Sequence, residues 1–204
     1  MPKSYTYEGI RVNCFESLNL GFRLGIPNSI PTVGILKTFT KAAKGADIIH
    51  ADGHPYMASF ILGKLAKYYN KPFVLTQHNT FIEYDNIFNT VERLNDLIIG
   101  RQTLNDADKI IAVSHATKNY ILNIGAKPNK IKVIHNGVDL QRFQPLKTKK
   151  QEIRHKLGIP KDAIVISTVR RVVYKNGIDN FIDAANVAVQ KNPKVHFLVG
   201  GKGP

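Results

Sequence analysis

Residues 131–139 read Ile131-Lys132-Val133-Ile134-His135-Asn136-Gly137-Val138-Asp139, and this stretch decides how the chain is divided. A β-branched run ends abruptly at Asn136-Gly137, a pair that suits a turn needing positive φ. Strands and amphipathic helices alternate before the stretch, and a second strand–turn–helix–strand series follows it. We therefore predict a hinge between two α/β domains, residues 1–140 and 141–204.

The strands on both sides of the hinge are apolar throughout. Phe73–Thr76 and Ile164–Val169 are continuous apolar or β-branched runs, which is the pattern of strands buried on both faces. Alternation of such strands with helices predicts parallel, doubly wound sheets flanked by helices. The second domain holds one strand–helix–strand unit, which cannot bury its own sheet, so we expect that domain to be incomplete.

Local signals predict where several elements begin and end. A helix is predicted from Pro31, near its first turn, to residue 44, with Gly45 just past its end. Ser114 is well placed to cap a helix that Gly125 terminates. The segment Gly9–Phe15 predicts a weak strand with no preceding element to pair with. Further helices are predicted over 58–69, about 89–105, and 178–189.

The charge of the chain is its most unusual bulk property. The sequence has 29 Lys and Arg against 15 Asp and Glu, a net charge of +14. Such a balance favours an anionic partner, meaning phosphate groups, nucleic acid or an acidic lipid surface. The basic residues are nevertheless spread along the chain, and the only short cluster, Lys147-Thr148-Lys149-Lys150, is interpreted as a solvated linker.

The remaining composition is that of an ordinary globular protein. The single cysteine, Cys14, rules out an internal disulfide and fits a reducing compartment. Residues 1–5 open no signal peptide, and no apolar run approaches the roughly 18 residues that would span a membrane. We therefore expect a cytoplasmic protein.

The turn at residues 170–177 is the best candidate site. It joins the carboxyl end of a buried strand to the start of a helix, where ligands of open α/β sheets bind. A helix N-terminus suits phosphate, and Arg170, Arg171 and Lys175 would add cations to it. Gly177 would let the backbone approach a ligand closely. The same residues also fit an exposed basic loop, and position alone does not decide between the two.

Three stretches resemble the glycosyltransferases of family 4, also called group 1, which have the two-domain GT-B fold. The segment from Thr168 to Ala185 is similar to the family's Arg-x4-Lys-Gly segment. Residues Ile134–Phe143 are similar to its interdomain His-Asn-Gly-Val-Asp-x3-Phe, and Val199–Pro204 to the glycine turn after its next strand. The resemblance implies an acceptor-side Rossmann-like domain followed by the start of a nucleotide-sugar-binding Rossmann-like domain.

The resemblance also implies an activity. It is the transfer of a sugar from a nucleotide-diphosphate sugar to an acceptor with retention of configuration, without a cofactor or an obligatory metal. Arg170 and Lys175 would neutralise the donor diphosphate as the sugar–phosphate bond breaks, where negative charge grows. Gly177 would lie beside them, and Gly201 and Gly203 would form the donor-side glycine turn.

Histidines provide the other candidates. By the resemblance, His78 would be the catalytic candidate, close to the donor sugar. A structural hydrogen-bonding role fits a histidine that ends an apolar strand equally well. His50 and His54 are four residues apart, but no third ligand is evident and no metal site is predicted. The interdomain hinge residues would be Asn136, Gly137 and Asp139.

The sequence departs from the family pattern at both ends. Nothing matches the family's first strand and glycine-rich loop, and the sequence stops before its Glu-x7-Glu segment. We therefore expect a chain truncated at both ends, with a first domain lacking its first strand and with little or no transferase activity. The acceptor, whether polysaccharide, lipid or small molecule, is not specified, and peripheral contact with the inner membrane surface is compatible with the charge.

Two other classes of protein compete with this interpretation. A non-catalytic basic module would bind nucleic acid with strong salt dependence. However, no helix carries clustered basic residues, and basic and aromatic residues are not interleaved, so nucleic acid is disfavoured. Another nucleotide-binding enzyme, such as an epimerase or dehydrogenase, is disfavoured because no early strand is followed by G-x-G-x-x-G.

Overall fold

A computed structural model describes residues 4–15, 17–18, 30–31, 34–81, 86–145, 149–173 and 176–203. The chain divides into two compact units, residues 1–137 and 138–204. The division falls inside the stretch 131–139, and the boundary expected after residue 140 lies a few residues further on.

The first unit is built on strands and on helices that alternate with the later strands. The strands are β1 (Ser4–Tyr7), β2 (Ile10–Asn13), β3 (Ser17–Leu18), β4 (Ile30–Pro31), β5 (Ile49–Asp52), β6 (Phe73–Gln77), β7 (Lys109–Ala112) and β8 (Ile131–Val133). The helices are α1 (Gly34–Gly45), α2 (Met57–Tyr68), α3 (Asn86–Asn95), α4 (Arg101–Asp106) and α5 (His115–Ile124). A π-helical segment, Asp96–Gly100, joins α3 to α4, so the helix predicted over about 89–105 is present with a π-helical interruption.

The central sheet of the first unit is parallel, with strand order β5-β6-β7-β8. Ala51 pairs with Leu75, and Leu75 pairs with Ile110, so the apolar residues of neighbouring strands lie in register. Helix side chains complete the core: Ala66 of α2, Leu104 of α4 and Ile121 of α5 lie in one buried cluster with these strand residues. The predicted class, parallel α/β with flanking helices, is confirmed.

The weak strand predicted over Gly9–Phe15 has a partner after all. Strand β2 pairs antiparallel with β1, with Tyr5 opposite Val12. The turn between them is Glu8-Gly9, with φ of 48° and 81°. Two residues of positive φ match the right-handed twist of a two-residue hairpin, and glycine takes the second at no steric cost. The expectation of an unpaired strand was wrong because the first five residues carry no obvious strand pattern.

Two further local expectations, on Pro31 and on Gly45, were wrong. Pro31 lies in β4 rather than in the first turn of a helix, and helix α1 begins only at Gly34 and includes Gly45 as its last residue. The described residues of the basic cluster, Lys149 and Lys150, are exposed, and Lys150 begins helix α6 (Lys150–Lys156), which has a Lys156–Glu152 ion pair at 2.6 Å. Lys147 itself lies outside the described residues.

The turn expected at Asn136-Gly137 also differs. Neither residue has a φ in the left-handed region, and a side chain added at Gly137 would enter open space. Residues 134–140, which follow β8, are exposed. The sequence pair was interpreted as a turn needing positive φ, but neither residue adopts one, and Gly137 is the last residue of the first compact unit.

Asp106 ties α4 to α2 and gives a pH-dependent prediction. Its buried carboxylate accepts hydrogen bonds from Lys64 at 2.7 Å, Lys67 at 3.3 Å and Gln102 at 3.1 Å. Burial alone would raise the pKa of Asp106, but these hydrogen bonds outweigh burial and hold the pKa below its usual value. A lowered pKa means that the stabilisation is present above the unfolded value of about 3.9 and is lost as pH falls through the folded value.

We therefore expect Asp106→Asn to lower the free energy of unfolding by about 1 to 3 kcal/mol at neutral pH. The gap between the variant and the parent should begin to narrow below about pH 4, where the unfolded chain takes up a proton, and should be lost as pH falls through the lower pKa of the folded carboxylate. Urea unfolding across this pH range measures both quantities. The control is Asp47→Asn at an exposed carboxylate, and a gap for Asp106→Asn that stays constant down to pH 3 would contradict the assignment.

The second unit contains α6 and one parallel strand pair. The two strands are β9 (Ile164–Val169) and β10 (Val195–Gly200), and helix α7 (Ile178–Lys191) lies between them in the chain. All three are close to their predicted positions. Ile164 pairs with Val195 and Val169 with Gly200. Phe181 of α7 packs edge-to-face on Phe197 of β10, with ring centroids 5.4 Å apart.

This strand pair leaves much apolar surface exposed, as predicted for a single strand–helix–strand unit. Val169 is 86% exposed, Ile182 is 57% exposed, and α7 contributes no fully buried residue. The buried hydrophobic residues of this unit include Ile159 and Ala163, just before β9. Among the helices that the structure describes, none is long and apolar enough to cross a bilayer.

Candidate functional site

Polar residues follow each strand of the first unit's parallel sheet at the same edge. Asp52 ends β5, His78 follows β6, Ser114 closely follows β7, and His135 closely follows β8. Carboxyl ends of parallel strands share one edge, which is where open α/β sheets bind ligands. The edge is therefore the candidate site of this unit.

His78 is exposed at this edge, with 44% of its side chain accessible. Its Nε2 lies 3.3 Å from Oδ1 of Asp52, the residue that ends the neighbouring strand. Sequence reasoning missed Asp52 because 26 residues separate the two side chains. The pair can present an oriented imidazole to a ligand, and the catalytic role of His78 stays a prediction.

The other residues at this edge make local contacts. The Oγ of Ser114 accepts a hydrogen bond from the amide of Thr117 at 3.1 Å, which confirms the predicted helix cap. Nδ1 of His135 lies 3.0 Å from the carbonyl oxygen of Val113, so its ring is held against the end of β7. Gly125 ends helix α5 in the left-handed conformation, as predicted.

Among the expected hinge residues, Asp139 forms hydrogen bonds that stabilise a turn. Its Oδ1 accepts hydrogen bonds from the amides of Gln141 at 2.9 Å and Arg142 at 3.0 Å. This side chain therefore organises the turn that begins the second unit. Asn136 and Gly137 are exposed, and their role as a hinge stays a prediction.

A buried polar network lies behind the edge, and sequence reasoning missed it. His54 is 1% exposed; its Nδ1 lies 2.8 Å from Oε1 of Gln77 and its Nε2 lies 2.9 Å from Oδ1 of Asp96. Tyr120 donates its hydroxyl hydrogen to Oδ2 of the same carboxylate. His54, considered only as a metal ligand from the sequence, instead joins β6 to the π-helical segment.

The electrostatics of this network follow from its burial. Burial, and then the hydrogen bond to Asp96, raises the pKa of Tyr120 above its ordinary value, so its hydroxyl stays protonated and donates. Burial and the nearby charge of Asp96 also raise the pKa of Glu92, an effect that His54 partly offsets. The network thus concentrates negative charge around one imidazole ring.

The turn after β9 holds Arg170 in a defined position. Its Nη1 donates to the carbonyl oxygen of Asn176 at 2.7 Å, and Nδ2 of Asn176 donates to the carbonyl oxygen of Arg171 at 2.7 Å. These two bonds close the turn on itself. Lys175, the second expected cation, lies outside the described residues.

Gly177 occupies the position immediately before helix α7. Its φ of 62° and ψ of 41° are left-handed, a conformation that glycine adopts without steric cost. A small open cavity of about 220 Å³ lies where the helix begins, and its lining residues are Ser167, Thr168, Arg170, Gly177, Ile178 and Phe181. The cavity therefore combines the carboxyl end of β9, a cation and the free amides of a helix N-terminus.

Gly201 and Gly203 lie directly against this turn. The amide of Arg170 donates to the carbonyl oxygen of Gly200, and the amide of Val172 donates to that of Lys202, both at 2.9 Å. A side chain at Gly201 would collide with the carbonyl oxygen of Arg170, and one at Gly203 with that of Val172. The glycines permit two backbone segments to run side by side, which braces the turn that carries Arg170.

The described residues contain no group of three or more His, Cys, Asp and Glu placed to hold a metal ion. The expectation that the reaction requires no metal stays a prediction.

The family model of Glycosyltransferase Family 4 matches residues 3–142, more than half of the chain. The chain belongs to glycosyltransferase family 4. The family suggested by the resemblance is thereby confirmed. The matched region includes the edge that carries Asp52 and His78 and ends before the turn at residues 170–177.

Curated relatives of this family 4 chain carry several different names. The gpi3 component of phosphatidylinositol N-acetylglucosaminyltransferase from Schizosaccharomyces pombe is 31% identical over 103 residues, covering 50% of this chain and 21% of the relative. D-inositol 3-phosphate glycosyltransferase 2 of Catenulispora acidiphila is 28% identical over 185 residues, covering 83% of this chain and 41% of the relative. The chain therefore spans well under half the length of these relatives.

Among solved structures, the family 4 chain is similar to HepE of Anabaena, crystallised in complex with UDP. The TM-score is 0.69 at 22% identity, covering 84% of this chain and 44% of HepE. Another HepE structure, in complex with UDP-glucose, gives a TM-score of 0.67 at 20% identity over 95% of this chain and 48% of HepE. A likeness at this identity shows the fold, which agrees with the GT-B type expected.

Proposed function

We propose that the chain carries the donor-diphosphate site of a glycosyltransferase that moves a sugar from a nucleotide-diphosphate sugar to an acceptor with retention of configuration. The observation that supports this most is the cavity at the start of α7, with Arg170 on its wall. A phosphate there would meet helix amides and a guanidinium at once. The binding of UDP by HepE, a protein of the same fold, favours a uridine nucleotide as the first to test.

The chemistry of sugar transfer explains why cations belong at this place. Negative charge grows on the leaving diphosphate as the sugar–phosphate bond breaks, so a cation fixed beforehand stabilises the transition state more than the ground state. The hydrogen bond from Arg170 to Asn176 fixes that side chain without a ligand. Lys175 is proposed as the second cation, with Gly177, Gly201 and Gly203 shaping the backbone around the diphosphate.

The first unit is proposed to contribute His78, oriented by Asp52, near the transferred sugar. The acceptor stays open among polysaccharides, lipids and small molecules, although two relatives are named for phosphatidylinositol and D-inositol 3-phosphate. The absence of a cofactor, a cytoplasmic location and contact with the inner membrane surface are likewise predictions. Binding of nucleic acid as the main function is not favoured by membership of the family.

Nucleotide binding is the experiment that tests the donor site. UDP at about 100 times its Kd should raise the free energy of unfolding by about 2.7 kcal/mol, because it binds only the folded state. Calorimetric scans with UDP, GDP or ADP, together with titration calorimetry, measure the effect and identify the base. We expect Arg170→Ala to abolish it.

The matched control is Arg171→Ala, which removes the same charge from the adjacent position of the turn. Equal losses in both variants would indicate general attraction of anions to a basic surface, and a chain that ignores all three nucleotides would refute the donor site. Release of UDP from UDP-sugars, with the anomeric configuration of the product read by NMR, tests retention. The same assay tests the reduced activity expected of the 204-residue chain.

A further inference from the structure

His54 is buried between two hydrogen-bond acceptors, which is an unusual position for a neutral imidazole. A neutral ring has one nitrogen that donates and one that accepts. At His54, Nδ1 faces Oε1 of Gln77 at 2.8 Å and Nε2 faces a carboxylate oxygen of Asp96 at 2.9 Å. If Oε1 of Gln77 and Oδ1 of Asp96 both accept a hydrogen bond from the ring, both ring nitrogens must carry a proton.

The orientation of the Gln77 amide is fixed by the main chain. Its Oε1 accepts the backbone amide hydrogen of His54 at 2.9 Å, and its Nε2 donates to the carbonyl oxygen of Asn79 at 2.8 Å. Exchanging the two amide atoms would place a donor against a donor and an acceptor against an acceptor. Oε1 thus faces Nδ1, which must carry a proton.

The carboxyl group of Asp96 has hydrogen-bond partners on both of its oxygens. Tyr120 donates a hydrogen bond to Oδ2, which leaves Oδ1 as the oxygen that faces Nε2 of His54. Glu92 also lies close enough to interact electrostatically with both Asp96 and His54. With a carboxylate opposite Nε2, the ring nitrogen on that side is also a donor.

We propose that His54 is a positioning residue whose doubly protonated ring, held between Gln77 and Asp96, fixes the two segments that carry Asp52 and His78. The first segment is Asp52-Gly53-His54, and the amide of Gly53 also donates to the carbonyl oxygen of Thr76 at 2.8 Å. The second is Gln77-His78-Asn79, which the Gln77 side chain bridges. We call the contacts of His54 with Gln77 and Asp96 the His54 clamp. The effect of this clamp on sugar transfer rests on the role proposed for His78, whereas the protonation state of the ring and the existence of the clamp do not.

The π-helical segment is shaped to receive this ring. A side chain added at Gly100 would place its Cβ 2.5 Å from Cδ2 of His54, so a larger residue there would push the ring away. Asp96 begins the same five-residue segment and Gly100 ends it. Such interruptions of α-helices occur frequently at functional sites, where they aim particular side chains.

The protonation state is tested by ¹⁵N NMR of the imidazole rings in the 204-residue chain at about pH 7.5, where a free imidazole is mostly neutral. We expect both ring nitrogens of His54 to be protonated. The Asp96→Asn variant should leave one proton, on Nδ1, because the new amide can donate to Nε2. An unprotonated ring nitrogen in the parent chain, or a second proton that persists in Asp96→Asn, would overturn the proposal.

The clamp is tested by hydrogen exchange. His54→Gln should accelerate exchange of the Gly53 amide by about tenfold or more, because that amide joins the two segments. His50→Gln is the matched control, since its ring contacts Thr76 Oγ1 on the same pair of strands. Unchanged exchange in a folded His54→Gln variant would overturn the clamp, and the ring measurement decides the proposal if that variant fails to fold. No nucleotide enters either experiment, so failure here and failure of the donor site are distinguishable.

Discussion

Gly201→Ala is expected to abolish the stabilisation of the chain by UDP and to destabilise the second unit by about 2 to 5 kcal/mol. Two costs add. A residue with a side chain pays about 1 to 2 kcal/mol for a left-handed backbone such as the φ of 151° at Gly201. The new methyl group would also overlap the carbonyl oxygen of Arg170, and overpacking of this kind costs about 1 to 3 kcal/mol.

The overlap matters for binding because the clashing atom belongs to the backbone of the donor turn. Arg170 cannot retreat without breaking its amide hydrogen bond to Gly200. The matched control is Gly158→Ala, at a φ of 66° with no atom near the new Cβ, which should show the backbone cost alone and keep UDP binding. Urea unfolding and titration with UDP measure the two effects, and equal outcomes in both variants would show that the turn is not braced as described.

Asp96→Ala is expected to destabilise the first unit by about 3 to 5 kcal/mol. Removing the carboxylate breaks a buried pair at a site where His54 is only 1% exposed. The ring must then lose its second proton, as in Asp96→Asn, and both Nε2 of His54 and the hydroxyl of Tyr120 lose their partner. Because the hydrogen bonds of a buried network support one another, the loss in the free energy of unfolding should exceed the sum expected for the individual hydrogen bonds. Equilibrium unfolding in urea, monitored by tyrosine fluorescence, measures the loss.

Asp52→Ala provides the matched control, because Asp52 also contacts a histidine but is 67% exposed in its side chain. Exposed pairs of this kind contribute about 0 to 1 kcal/mol, so this variant should unfold close to the parent. If both substitutions cost the same, burial does not set the strength of the His54–Asp96 pair, and the clamp loses its physical basis.

Much of the fold could be predicted from the sequence because its strands are unambiguous. Ile164–Val169 and Lys109–Ala112 are β-branched or apolar segments bounded by turn residues, and the helix after Ser114 carries both its start and its stop signal. A prediction that depended on a single residue, the helix start at Pro31, was wrong. Pro31 fits a helix start and an edge strand equally well, and only pairing with β3 decides for the strand.

The donor turn was predictable in part. Arg170 and Gly177 belong to a motif that is contiguous in sequence, so a single stretch places both at the start of a helix. The steric need for Gly201 was visible only as a resemblance, since its contact with Arg170 joins residues far apart in the chain. The structure therefore explains why glycine is required at position 201, which the sequence alone does not.

The buried network was not predictable. Gln77 lies 23 residues from His54 and Asp96 lies 42 residues from it, so no local pattern connects them. His54 also stood out for the wrong reason, its spacing from His50, which suggested metal ligands. Burial of a histidine between two acceptors is a tertiary property that periodicity and spacing do not encode.

Strand β9 has a consequence for the behaviour of the protein in solution. Ile164–Val169 is six residues long, uncharged, free of proline and glycine, and rich in β-branched side chains, which is the composition of segments that stack into cross-β fibrils. Among the described residues it pairs with β10 alone, so its other edge offers free backbone groups to the same strand of another molecule. We therefore expect self-association of the protein to begin at this edge and to increase with protein concentration.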